Sequence, residues 1–143
     1  MRFCMNRFFI ISSITLIMVI GIFNSADTFG EDNIAKQKLL GIWWTQDSHD
    51  TPWAIQFNEN GTFRTAQTIL RLEKLPIDEG QFLLQGTSLT LISNKDCDGS
   101  CKGLQGIYKL EFTNYGDLIF EEQKELCMER REVCSYPWTK VIP

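Results

Sequence analysis

The chain has 143 residues, 43% hydrophobic and 22% charged, which is enough for one domain with one modest core. Fourteen Lys and Arg stand against eighteen Asp and Glu, a net charge of −4. An acidic chain lacks the clustered cations that release counterions from a phosphate backbone, so nucleic acid is not an expected partner.

Arg2 and Arg7 precede an uncharged apolar run over residues 8–23, followed by Asn24-Ser25-Ala26 and the first acid, Asp27. This order of basic, apolar and small polar residues is that of a secretory leader. It predicts a signal peptide over residues 1–26, extending to 30 if the cut follows Gly30, and a secreted or periplasmic domain over residues 33–143. A retained leader would instead anchor the domain, and this is the only membrane contact expected. Cys4 precedes the apolar run, is no lipoprotein cysteine, and leaves with the leader. Removing Arg2 and Arg7 leaves 12 basic residues against 18 acidic ones, a charge of −6.

Residues 32–40 carry Ile34, Lys36, Lys38 and Leu39-Leu40, with Asp32 or Asn33 able to cap, and read as one or two helical turns before Gly41. From Trp43 the period becomes two. Trp53, Ile55 and Phe57 alternate with Ala54 and Gln56 up to the hairpin loop Asn58-Glu59-Asn60-Gly61. Residues 62–72 read as one long strand ended by Pro76. Gly80, Phe82 and Leu84 lead into Gln85-Gly86-Thr87, and Leu89 and Leu91 resume beyond it. Gly106, Tyr108, Leu110 and Phe112 precede the turn Asn114-Tyr115-Gly116-Asp117, after which Leu118 and Phe120 alternate again. A last short strand covers residues 138–141. Consecutive hairpins without a long crossover predict an all-β fold, a small antiparallel up-and-down barrel of about eight strands with a short N-terminal helical turn. A sandwich is the alternative.

In the exported domain the cysteines are Cys97, Cys101, Cys127 and Cys134, an even set for which oxidation to two disulfides is expected. Their C-x3-C and C-x6-C gaps, with the single histidine His49 far away, do not have zinc-ligand spacing. Four cysteines allow three connectivities, and spacing does not choose between them. Asn94, Asp96, Asp98 and Gly99 match the first half of a calcium loop, but its twelfth position would be Gln105, which has no bidentate carboxylate. No metal and no cofactor are expected; the loop reads as a solvated, disulfide-pinned acidic segment.

In a small closed barrel the first and last strands are neighbours, so Trp43 and Arg130 are placed to form a cation–π latch worth about 0.5–2 kcal/mol, with Arg131 as substitute if the strand phase slips. Trp53, Phe57, Phe63, Phe82, Tyr108 and Phe112 fall on one strand face. They either line a pocket for a small hydrophobic molecule or fill the barrel solidly. His49 lies between Asp47 and Asp50, but no nucleophile elbow accompanies it and catalysis is not expected. The run Glu121, Glu122, Lys124, Glu125, Glu129, Arg131, Glu132 reads as a hydrated surface.

Taken in order, Gly41-x-Trp43, Phe57-Asn58-Glu59-Asn60-Gly61-Thr62-Phe63-Arg64, Gly80-x-Phe82, Leu89-Thr90-Leu91, Gly106-x-Tyr108, Gly116-Asp117-Leu118-x-Phe120 and Cys127 three residues before Arg130 resemble the short bacterial lipocalin-like proteins of the calycin group. The resemblance covers residues 39–130. It implies Trp43 at the barrel base under Arg130, a Cys101–Cys127 bridge, and Cys97 and Cys134 as an added pair. No counterpart of the long C-terminal helix of full-length lipocalins is expected after Pro137. The function this implies is an exported protein holding a small hydrophobic ligand without catalysis. The alternative is a rigid barrel that binds another protein or an envelope component through its disulfide-pinned loops.

Overall fold

The period-two segments fold as eight strands in a computed structural model that describes residues 26–94 and 100–141. They are β1 (Gly41–Gln46), β2 (Pro52–Phe57), β3 (Thr62–Ala66), β4 (Asp78–Gln85), β5 (Ser88–Ser93), β6 (Gln105–Phe112), β7 (Leu118–Glu125) and β8 (Thr139–Lys140). The sheet order β7-β6-β5-β4-β3-β2-β1-β8 is an antiparallel meander, with β8 returning beside β1. It curls into a half-barrel whose edges meet at one backbone pair, where Leu118 and Trp138 exchange N–H···O bonds of 2.8 and 2.9 Å. This is the expected all-β fold class, and it is compatible with a calycin-like fold. The predicted leader over residues 1–26 lies outside the described residues except for Ala26.

Turn chemistry sets the register. In the β2–β3 hairpin Asn60 Oδ1 accepts from the Thr62 N–H and hydroxyl, and Gly61 turns the chain at φ +80°, where a side chain would be strained. The inner faces then bury Trp43, Ile55, Phe57, Phe63, Phe82 and Tyr108 in one cluster. Phe57 meets Phe82 edge-on at 5.2 Å, and Tyr108 meets Phe120 edge-on at 5.6 Å.

Three elements differ from the sequence reading. The first helix, α1 (Ala26–Leu39), is longer than the turns expected over residues 32–40. The strand expected over 62–72 ends at Ala66, and the chain turns through a 3-10 turn at Ile69–Arg71. Leu72 is thereby buried on the outside of the sheet against Ala54 and Ala66, an apolar seat that a continued strand would have left exposed. A second helix, α2 (Met128–Cys134), stands where a hydrated surface was expected. Its buried residues Arg130, Val133 and Cys134 share one helical face at i, i+3, i+4, and the charge on Arg130 hides that period.

The helices lie toward opposite ends of the barrel. At the α1 end, Lys38 sits over Phe112, the last residue of β6. At the α2 end, Arg130 reaches the carbonyl of Leu104, just before β6 begins.

Candidate functional site

Trp43 is held by its neighbours at the α1 end: its Nε1 donates to the Leu39 carbonyl at 2.8 Å, and its ring lies 6.2 Å from Phe112. The cation over its ring is Lys140, at 5.1 Å, whose Nζ also donates to the Lys38 carbonyl at 2.8 Å. Partial burial of Lys140 lowers its pKa. The expected Trp43–Arg130 latch is therefore corrected: β8, adjacent to β1, supplies the cation. Arg130 engages the far end of β6, an eight-residue strand about 25 Å long at roughly 3.3 Å per residue. Arg131 does not substitute either, since it pairs with Glu122 at 3.1 Å and donates to the Glu125 carbonyl.

Arg130 instead centres a buried ionic cluster that the sequence reading missed. Its Nε and Nη2 donate to the two oxygens of Glu125 at 2.7 and 2.9 Å. Its Nη1 donates to Ser93 Oγ at 2.6 Å and lies 3.4 Å from Asp78 Oδ2, to which Ser93 Oγ donates at 2.8 Å. The Tyr108 hydroxyl and the Cys127 N–H also donate to Glu125. The Arg130, Asp78 and Glu125 side chains are only 4%, 6% and 0% exposed, so each charge depends on the others. Opposite Glu125, Gly106 leaves room that a Cβ would fill by colliding with the carboxylate.

The electrostatics follow from these contacts. Burial pushes the Glu125 carboxyl up, but hydrogen bonds from Arg130 and Tyr108 outweigh it and hold the group below its usual value. Burial pushes Arg130 down, and Glu125 more than offsets this. Burial and the adjacent carboxylate raise the Tyr108 hydroxyl, which stays protonated as a donor. The cluster fastens α2 to β4, β5, β6 and β7.

Of the two carboxylates, one carried a signal in the sequence. Asp78 shares the inward phase of Gly80 and Phe82, so its position was readable. Glu125 was not: a bulge where Ile107 pairs with Lys124 and Tyr108 with Glu122 shifts β7 by one residue and turns an apparently outward glutamate inward.

The six aromatics expected on one face do share one core. Phe57, Phe63, Phe82 and Tyr108 are buried, and the half-buried Trp53 and Phe112 pack against them. Trp53 Nε1 donates to Asp47 Oδ2 at 3.2 Å at the rim. Slight burial pushes the Asp47 carboxyl up, but the N–H groups of His49 and Thr51 and the Trp53 indole hold it low. Asp47 thus orders the loop that carries His49. Beneath α2, a cavity walled by Trp53, Ile55, Val133, Trp138 and the Arg130–Asp78 pair measures about 30 Å³. That is room for about two waters, against the roughly 300 Å³ of the smallest ordinary ligand sites.

Cys101 and Cys127 form the bridge that the resemblance implied, with Cα atoms 5.1 Å apart. Cys134 does not form the second: it is a free, buried thiol, with its pKa pushed up to about 12 by burial. Its expected partner Cys97, with Asp96 and Asp98, lies outside the described residues. Among the described residues no helix is long and apolar enough to cross a membrane. Compared with known proteins, the chain matches no family model, no curated protein and no solved structure.

Proposed function

We propose that this chain is an exported lipocalin-like barrel that acts as a rigid platform, binding another protein or an envelope component through the disulfide-pinned loops at its α2 end, without catalysis. The observation that carries this reading is the packed interior, where the aromatic side chains meet in one buried cluster and the cavity beneath α2 measures only about 30 Å³. The leader-like order of residues 1–26 and the Cys101–Cys127 bridge support export to an oxidising compartment.

The α2 end also has the makings of a recognition surface. Leu126 and Met128 flank the bridged Cys127 and are 58% and 80% exposed, so apolar groups are presented from a backbone held by the disulfide and the Arg130 cluster. Little ordering entropy remains to be lost when such a surface binds. A small hydrophobic ligand inside the barrel is the second reading, and it requires side chains to move out of the way.

The discriminating experiment combines affinity capture from host envelope extracts with a titration of hydrophobic fluorescent probes. A Leu126→Asp/Met128→Asp variant is expected to lose the captured partner while keeping the wild-type circular dichroism, and the probes are expected to show no saturable binding. Unchanged capture by the variant rejects the platform surface, and saturable one-to-one probe binding returns the reading to ligand carriage.

A further inference from the structure

The side of the sheet facing away from the core carries an apolar feature that the platform loops do not use. Ile42 and Trp44 alternate with buried Trp43 on β1 and so face outward, with Trp44 40% exposed. Beside them the turn Ile69–Arg71 is pinned by Leu72, buried against Ala54 and Ala66. Because the turn is fixed there, Ile69, Leu70 and Leu75 stand in solvent, and Leu70 is 89% exposed. Between the turn and the sheet runs a groove of about 330 Å³, walled by Ile42, Gln56, Leu70, Leu72, Glu73 and Lys74.

The backbone limits what this groove can hold. A sheet recruits a peptide strand through a free edge, but β1, β2 and β3 each have a paired strand on both sides. An occupant is therefore held by side-chain contact alone. The contacts on offer in the groove are mainly aliphatic, with the Trp44 indole outward on the same sheet face; Lys74 in the wall and Arg71 in the turn are exposed cations that make no ion pair among the described residues. Glu73 is the single acid of this turn, so the rim is locally positive in an otherwise acidic chain. Apolar groups that need no directional partner, on a turn whose Arg71 and Lys74 outnumber its one acid, complement the headgroup boundary of an anionic bilayer.

We propose that this face docks on an anionic lipid surface, with Leu70, Ile69 and Trp44 entering the headgroup boundary and Arg71 and Lys74 meeting lipid phosphates. The site is separate from the platform loops, and the proposal stands or falls independently of that reading.

Hydrogen exchange of the full chain, read peptide by peptide with vesicles of phosphatidylcholine alone or mixed with phosphatidylglycerol, tests it. The local readout matters, because insertion of the apolar run 8–23 would not register in residues 67–77. Exchange in 67–77 is expected to slow several-fold with phosphatidylglycerol vesicles and to stay at the free rate with phosphatidylcholine. Leu70→Glu, at an exposed position that leaves the fold intact, is expected to restore the free rate and weaken partitioning roughly tenfold or more, the scale of losing one inserted leucine. Unprotected 67–77 with phosphatidylglycerol overturns the proposal. So does equal protection by both vesicles, or protection by a purified protein partner and not by lipid.

Discussion

Arg130 and Glu125 show how one buried charge commits its neighbours. With both side chains almost fully enclosed, removing the guanidinium leaves Glu125 and Asp78 in low dielectric without compensation. Losing one partner of such a pair typically costs about 3–5 kcal/mol. Arg130→Ala is therefore expected to lower the urea midpoint substantially, and replacing Arg131, whose side chain is half exposed, to cost about 1 kcal/mol or less. The pH dependence has a definite sign. Since the Glu125 carboxyl is held below its usual value of 4.5, its stabilising contribution is present above that pH and is lost as the pH falls through the lower folded value. Urea midpoints between pH 3 and 7 should decline on the acid side for the wild type and decline less for Glu125→Gln, which is weaker at neutral pH but has no carboxylate to titrate there. Parallel curves for the two proteins would show that Glu125 does not carry this acid sensitivity.

At the scale of elements, legibility depended on whether a local rule or a long-range contact decided the outcome. The hairpins at Asn58-Glu59-Asn60-Gly61 and Gln85-Gly86-Thr87 were readable because turn residues and alternation both act within a few positions. The end of β3 was not, because Leu72 finds its burial against Ala54, on a strand whose position the sequence near Leu72 does not encode. Helix α2 escaped because its inward face is led by an arginine whose carboxylate partners come from β4 and β7. The candidate site divided in the same way: the aromatic face followed from alternation, whereas the cation over Trp43 came from β8 and the partner of Arg130 from a bulge. Helix α2 is too short to persist on its own, so its attachments decide its stability. The Cys101–Cys127 bridge closes a segment with sequence separation 26, which in the chain-entropy account is worth about 3.5 kcal/mol. A Cys101→Ser/Cys127→Ser variant is expected to lose about that much, with amide protection falling first in α2 and the 100–104 loop while the β4–β5 hairpin keeps its slow exchange. Uniform loss of protection across the sheet would mean that the bridge supports the whole barrel rather than its α2 end.

For the whole molecule, the question is whether the barrel is a container or a solid body. Side chains from every strand but the two-residue β8 meet in one cluster, and edge-on contacts such as Phe57–Phe82 leave little space between them. A solid body gains no stability from a guest, because stabilisation by a ligand requires a native site for it to occupy. Hydrophobic probes should therefore leave the wild-type melting temperature unchanged. Phe82 offers the converse case, since it is buried at 5% exposure and packs against Phe57, with no polar partner of its own to confuse the result. Phe82→Ala removes a ring's volume from a rigid surround that collapses only partly, at a cost of about 3–5 kcal/mol. If the surround holds, the variant acquires what the wild type lacks, a dry apolar space of small-aromatic size, and its melting temperature should rise with added benzene or indole. A wild type that is itself stabilised by these probes would mean that the interior opens in solution, and the barrel would then be a carrier whose closed form is the one described.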